Sequence, residues 1–311
     1  MTTLYLTHPA YLEHSNGEGH PERPDRLRAI EKVVAGEDFA ELVHVTPAPA
    51  DEAIIELVHP RSYIDAIKDG RPRSGIRQLD PDTAMVPGSW DAALLAVGAG
   101  LDAVDKVMSG EAQNAFCAVR PCGHHAETAR AMGFCIFANV AIAAKYARQK
   151  YGLDRVAVID FDVHHGNGTQ DIFWSDKDLF LASTHQMPLF PGTGAPSEEG
   201  ASGNICNVPL SAGSDGSLFK EGFRSRVLPA LNDFAPDFIL ISAGFDAHRN
   251  DPLASINLVE DDFAWATSQL AEVADKRTGG RVVSMLEGGY DLAGLANSVD
   301  AHLKVLMDAG D

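Results

Sequence analysis

Val158-Ile159-Asp160-Phe161-Asp162-Val163-His164-His165-Gly166-Asn167-Gly168 is the stretch on which the fold turns. Val156 to Ile159, apolar or β-branched throughout, read as a buried strand, and that strand runs straight into acids, histidines and glycines. Open α/β sheets bind ligands beyond the carboxyl ends of their strands. Asp162 and His164, two apart in an extended segment, can therefore aim their side chains at one shared object. The natural candidate for that object is a metal ion.

Further apolar strands are expected at Thr3 to Thr7, Ala115 to Val119, Leu179 to Ala182, Phe238 to Ile241 and Val282 to Leu286. One helix enters at Pro24 and continues through Leu27, Ile30 and Val34. Ser89 is a plausible N-cap for a second, along which Leu94, Val97, Leu101, Val104 and Val107 recur at helical spacing. Leu292, Leu295, Ala296, Val299, Leu303 and Leu306 mark the last helix, whose stripe needs only a packing role. Alternation of this kind predicts an α/β fold with a central, mostly parallel sheet and helices on both faces. No composition break, repeat or low-complexity segment divides the chain, so residues 1–311 read as one domain.

A chain of 311 residues can bury a sizeable core. Its 44 acids against 25 bases give a net charge of −19, which argues against nucleic acid or an anionic membrane as partner and weakly favours cationic substrates. No apolar run of about 18 residues and no basic-then-apolar leader is present, so neither a membrane-spanning helix nor a signal peptide is expected, and the cytoplasm is. The four cysteines, Cys117, Cys122, Cys135 and Cys206, lack CxxC spacing and read as reduced, buried thiols.

Five strands are each followed by polar residues: Gly123-His124-His125, Asp160 to Gly168, Ser183-Thr184-His185, Ser242 to Asp246, and Glu287-Gly288-Gly289-Tyr290. One site built from several strand ends explains all five together. Asp162, His164 and Asp246 can assemble a mononuclear metal site that keeps a position open for water. Zinc is expected there, although two carboxylates and one imidazole also suit iron(II) or cobalt. Water on such an ion becomes a competent nucleophile once a base takes its proton. The adjacent His124 and His125 supply the base, with Asp160 and Asn167 the obvious groups to orient the two rings. Tyr290, freed by two preceding glycines, can donate to an oxyanion. Together these groups describe amide hydrolysis, and no Gly-rich phosphate loop or GxSxG elbow competes.

The motifs resemble the histone deacetylase family, within the arginase–deacetylase superfamily, from about Leu4 to Leu303. The residues that carry the resemblance are His20-Pro21-Glu22-Arg23-Pro24, Gly123-His124-His125-Ala126, Met132-Gly133-Phe134-Cys135, Asp160 to Gln170, Phe190 to Gly194, Asp246 to Leu253 and Leu286 to Tyr290. His-His-Gly-Asn-Gly-Thr-Gln and Leu-Glu-Gly-Gly-Tyr are similar to the class II branch and its bacterial relatives. The resemblance implies zinc on Asp162, His164 and Asp246, His125 as general base and acid, His124 with Asp160 as its electrostatic partner, and Tyr290 polarising the acyl carbonyl. It implies tunnel walls from Phe134 and Phe190, beside Gly133, around an acyl-lysine stem, and an inner channel for acetate near Arg23. It also implies potassium near Asp160, Asp162, His164, Ser183 and Thr184, and a second ion near Phe173. Cys122 stands where the family commonly has proline, and the segment from Gly70 to Val86, expected at the tunnel rim, is least fixed by the pattern.

The leading expectation is a metal-dependent deacylase acting on an acyl-lysine peptide or protein. The runner-up is an acetylpolyamine amidohydrolase. Polyamine-selective relatives tend to carry a rim glutamate where this chain has Leu253, which favours lysine; Asp80 or Asp82 could replace the missing acid. Two-manganese ureohydrolase chemistry would need further ligands beside Asp162, and Val163 and His165-Gly166 leave few. A silent acyl-lysine binding protein would be expected to have lost a ligand, the histidine pair or the tyrosine. A homo-oligomer is compatible with the sequence.

Overall fold

The computed structural model describes residues 2–309. In chain order its strands are β1 Thr3–Leu6, β2 Val43–Val45, β3 Arg77–Asp80, β4 Thr83–Met85, β5 Asn114–Cys117, β6 Val156–Asp160, β7 Leu179–Gln186, β8 Ile205–Leu210, β9 Phe238–Ala243 and β10 Val282–Leu286. Eight of them form one sheet in the order β2-β1-β5-β10-β9-β6-β7-β8, and every pairing in it is parallel. The inner strands are buried on both faces, which is why β6, β9 and β10 read as apolar runs rather than alternating ones. Helices Ser89–Met108 and Asn139–Tyr151 pack together on one face. Helices Asp25–Val34, Glu260–Arg277 and Leu292–Ala309 pack together on the other. The expected architecture is thus the observed one, and β5, β10, β9 and β6 lie side by side with their carboxyl ends on one edge.

Several local expectations are corrected. β7 runs on to Gln186, so Ser183, Thr184 and His185 belong to the strand itself; pairing with β8, Thr184 opposite Val208 and Gln186 opposite Leu210, holds them extended. Strands β2 and β8, which the sequence pattern misses, are the sheet's edges, and β8 carries Pro209, a residue tolerated where no further strand needs its N–H. Ser89 is not the N-cap. Gly88 holds that position, while the Ser89 hydroxyl accepts from Val86 N (2.9 Å) and lies 2.8 Å from His14 Nδ1, tying the helix start to the N-terminal segment. The segment from Gly70 to Val86 contains the hairpin β3–β4.

Three buried histidines are held neutral. His59 Nδ1 lies 3.0 Å from Thr128 O, and its Nε2 accepts from Ala138 N (2.9 Å). His185 bridges Ser183 Oγ and Gly194 O, and His302 bridges Thr267 Oγ1 and Ser284 Oγ. Burial pushes His59 and His185 down to about 4 and His302 to about 3. Unfolded imidazoles titrate near 6.5. As pH falls from about 6.5 toward about 4, the unfolded chain therefore takes up protons that the folded chain refuses, and stability declines by up to ~1.4 kcal/mol per histidine per pH unit. Urea midpoints compared at neutral and mildly acidic pH are expected to fall steeply across this window, and a flat profile would mean these rings are not kept neutral.

Candidate active site

At the end of β6 the chain turns across the sheet edge and places Asp162 and His164 beside Asp246, which follows β9. One ligand atom from each of these residues lies within 4.8 Å of the others. His164 Nδ1 is 3.0 Å from Asp246 Oδ2 and 3.3 Å from Asp162 Oδ1. Backbone N–H groups finish the job of holding the acids: Gly288 donates to Asp162 Oδ2 and Val163 to Asp246 Oδ1, both at 2.8 Å. Such close approach needs glycine, because a Cβ on Gly244 would come within 2.0 Å of Asp162 Oδ2 and one on Gly288 within 2.2 Å of Asp246 Oδ2.

The donor set fits a divalent cation. Burial raises the Asp162 carboxyl, but His124, His164 and His125 outweigh it and hold the acid below its usual range. Burial and then the Asp162 charge push Asp246 up to about 7. Two adjacent carboxylates with too little positive charge between them are the situation a metal ion relieves. His165, next in the chain, points elsewhere, its ring nitrogens 2.8 Å from Thr193 Oγ1 and 3.1 Å from Gln170 Oε1.

Beside the triad stand the paired histidines, ring centroids 4.0 Å apart. His124 Nδ1 lies 2.9 Å from Asp160 Oδ2 and His125 Nδ1 2.8 Å from Asn167 Oδ1, as expected from the sequence. Asn167 Nδ2 donates to Glu127 Oε1 (2.8 Å), which fixes its carbonyl as the acceptor for His125. His125 therefore carries its hydrogen on Nδ1 and leaves Nε2 free to accept. Burial opposes a charge on His124, yet Asp162, Asp160 and Glu287 together raise it well above the imidazole range. Burial, then the charges of His124 and His164, drive His125 well below it. The two rings are thus split into a cation and a neutral base.

Above them opens a pocket of about 230 Å³ lined by Asp82, His125, Gly133, Phe134, His164, Leu189, Phe190, Leu253 and Tyr290. The Phe190 ring meets His125 edge-on at 5.1 Å, and the Phe134 ring meets Tyr290 at 5.9 Å. Gly133 has φ +57, and a Cβ there would come within 2.3 Å of the His125 ring. Its N–H donates to Asp82 Oδ1 (3.0 Å), and Phe134 N–H donates to Thr83 Oγ1 (2.9 Å). The hairpin is therefore the support of the Phe134 wall. Tyr290 N–H donates to Asp251 Oδ2 (2.7 Å), and burial, followed by Cys122 and Asp246, raises the phenol well above its ordinary value, so it keeps its proton.

One expectation fails. Arg23 lies on the surface, 3.4 Å from Asp25, and is not brought to the site. Arg26 is the buried arginine: it donates from Nε to Gly289 O and from Nη2 to Glu287 O, each at 2.6 Å, and its guanidinium lies 5.0 Å from the centre of the Tyr290 ring. Its place was readable, since Arg26, Ile30 and Val34 share one helical stripe. Glu287 was also overlooked as a working residue. Its Oε2 accepts from Gly123 N (2.7 Å) and His124 N (3.1 Å), holding the histidine loop.

A family model described as histone deacetylase domain matches residues 20–306. The chain is 41% identical to histone deacetylase 10, chloroplastic, of Oryza sativa subsp. japonica over 318 residues, 95% of this chain and 71% of the rice protein. It is 38% identical to the histone deacetylase-like amidohydrolase of Pseudomonas aeruginosa over 296 residues, 93% of this chain and 77% of that protein. The crystal structure of the HDA15 HD domain, 36% identical, covers 99% of this chain with a TM-score of 0.94, and the match takes in 89% of that chain.

Asp162→Ala and Asp246→Ala are each expected to abolish tight binding of one divalent ion per chain, read by elemental analysis after desalting. Full retention of the metal in both variants would remove these carboxylates from the ligand set.

Proposed function

This chain belongs to the histone deacetylase family, and from that premise we propose that it is a zinc-dependent amidohydrolase that removes acetyl or related acyl groups from N-acyl-lysine. The observation that carries the reading is the convergence, at the floor of one narrow apolar pocket, of the Asp162–His164–Asp246 triad, a neutral His125 and a protonated Tyr290. Zinc held by the triad would supply Lewis-acid polarisation and acidify water. His125 Nε2 takes the proton from the attacking water, and the cationic His124, anchored on Asp160, steadies the negative charge that builds up. Tyr290 donates its hydroxyl hydrogen to the acyl oxygen as the carbonyl carbon becomes tetrahedral. His125 then returns its proton to the departing amine.

Phe134, Leu189, Phe190 and Leu253 offer an apolar slot that suits a lysine methylene stem. The rim acids that would serve a polyamine are engaged, Asp80 with Arg130 (2.9 Å) and Asp82 with Gly133 N. That favours a peptide over a free polyamine. The intact histidine pair and tyrosine weigh against a silent binding protein, and the engaged His165 weighs against a second catalytic metal. We also assign potassium beside β7, where the buried Thr184 Oγ1 has no partner, with a second ion near Phe173. A cytoplasmic setting suits four free, buried cysteines; among the described residues no helix is long and apolar enough to cross a membrane.

Tyr290→Phe is expected to lower kcat roughly 10²–10³-fold, the usual loss for an oxyanion donor, and a near-normal rate would remove the phenol from the mechanism. His125→Ala is expected to be nearly inactive with its metal retained. Measured at equal concentration, an acetyl-lysine peptide is expected to exceed N-acetylputrescine by about ten-fold or more in kcat/KM, and the reverse preference would point to the acetylpolyamine reading.

A further inference from the structure

Two of the four cysteines are not isolated. Cys135 Sγ lies 3.3 Å from Cys122 Sγ, and both thiols face the carbonyl of Gly133, at 3.3 Å and 3.8 Å. Glu287 completes a cluster whose ligand atoms lie within 4.8 Å of one another. Its oxygens, however, already accept from Gly123 N, His124 N and Ser242 Oγ, so a soft cation would have to strip those bonds away. The sulfurs themselves make only weak hydrogen bonds. The pair is therefore better suited to bonding with itself than to holding an ion.

We propose that Cys122 and Cys135 form a peroxide-oxidisable dithiol site beneath the acyl pocket, and that their disulfide lowers turnover in the site above.

Both sulfurs are hidden from bulk water, at 2% and 0% exposure, yet both contact the carbonyl of Gly133, a residue of the pocket wall. Gly133 and Tyr290 line that pocket, and Cys122 lies close enough to Tyr290 and to the Arg26 guanidinium to influence their charge states. Hydrogen peroxide, little larger than water, is an oxidant of the right size for this route. The sulfur of Cys122 attacks one peroxide oxygen; the O–O bond breaks, the second oxygen leaves with the thiol proton as water, and Cys122 becomes the sulfenic acid. Burial and then the Cys122 neighbour raise the Cys135 thiol, so it enters protonated as the resolving partner. Its sulfur attacks the sulfenic sulfur, the S–O bond breaks, and the hydroxyl leaves with the Cys135 proton as a second water. Two thiols lose two electrons and one peroxide gains them.

A disulfide needs the sulfurs at about 2.05 Å, against 3.3 Å here, so closing it draws the two side chains, and the segments that carry them, together. Both segments are closely packed against their neighbours. A Cβ on Gly123 would come within 2.6 Å of Asn139 N, and one on Gly133 within 2.3 Å of the His125 ring, which shows how tightly each is already packed. Cys122 is also only two residues from His124. Closing the S–S bond therefore shifts the histidine loop against the Gly133–Phe134 wall.

The activity arm of the test rests on the deacylase reading, but the linkage arm does not. Metal-loaded protein is treated with hydrogen peroxide, its remaining thiols are alkylated, and non-reduced peptides are mapped by mass spectrometry. The expected result is a Cys122–Cys135 cross-link with loss of two hydrogens, Cys117 and Cys206 still alkylated, metal content unchanged, and kcat on an acetyl-lysine peptide down about ten-fold or more until dithiothreitol restores it. Cys135→Ser is expected to lose the reducible cross-link and the dithiothreitol-reversible inhibition; Cys122→Ala serves the same purpose if that variant folds poorly. A cross-link through Cys117 or Cys206, or all four thiols remaining alkylatable at peroxide levels that inactivate, would overturn the site. A Cys122–Cys135 cross-link with kcat unchanged would overturn its effect on turnover.

Discussion

The constraint on which the rest of this structure depends is the burial of four carboxylates at the carboxyl ends of neighbouring strands. Asp160, Asp162, Asp246 and Glu287 are all essentially without solvent contact. Four such charges taken from water would be prohibitively costly unless each were met by hydrogen bonds and positive charge. The loops are shaped to meet them. Asp160 Oδ1 accepts from Asp162 N, Asp162 Oδ1 from His164 N, Asp246 from Val163 N, and Glu287 from two successive N–H groups of the histidine loop. The remaining negative charge makes His124 a cation and leaves the triad in want of a metal ion. Chemistry at this edge follows from the same arrangement that makes the edge tolerable.

That logic explains why the site was so legible in the sequence. A strand that ends in Asp-Phe-Asp-Val-His-His cannot bury its acids without partners, and the partners must come from other strand ends in the same sheet. The parallel sheet was legible for a related reason, since strands buried on both faces must be apolar without interruption. What escaped reading lay where those pressures are weak. β2 and β8 are edge strands of mixed composition, and the hairpin Arg77–Met85 is fixed where its Asp82 and Thr83 side chains accept from the N–H groups of Gly133 and Phe134, rather than by its own pattern. Arg23 and Arg26 differ only in which side of a helix start they occupy. Motif position suggested the first, while helical geometry buries the second.

The pocket wall carries its own strain. Phe134 adopts φ +68, a left-handed conformation that costs a β-carbon-bearing residue roughly 1–2 kcal/mol. The bond from its N–H to Thr83 Oγ1 and the edge contacts of its ring with His20 (4.5 Å) and Tyr290 offset that cost. A wall held in this way is rigid before any substrate arrives. The hairpin, the N-terminal segment and the strand-end loops must all be in place for it to stand, so the slot is a product of the whole fold rather than of one loop.

Tyr290 shows how far that dependence reaches. Its ring lies over the Arg26 guanidinium, and Arg26 is itself fixed by the carbonyls of Glu287 and Gly289 and by the Glu22 carboxylate at 3.2 Å. Glu22 is fully buried and also binds Arg120, whose Nη1 donates to Tyr11 O (2.7 Å). Burial raises the Glu22 acid, but Arg120 and His14 outweigh it and hold it well below the carboxylate range, so the charge persists. Two buried arginines around one buried carboxylate leave no alternative arrangement that satisfies all three. The N-terminal segment, more than two hundred residues from the tyrosine in sequence, is thereby part of the machinery that aims the phenol, and the His-Pro-Glu-Arg-Pro motif earns its place through Glu22 rather than through its arginine.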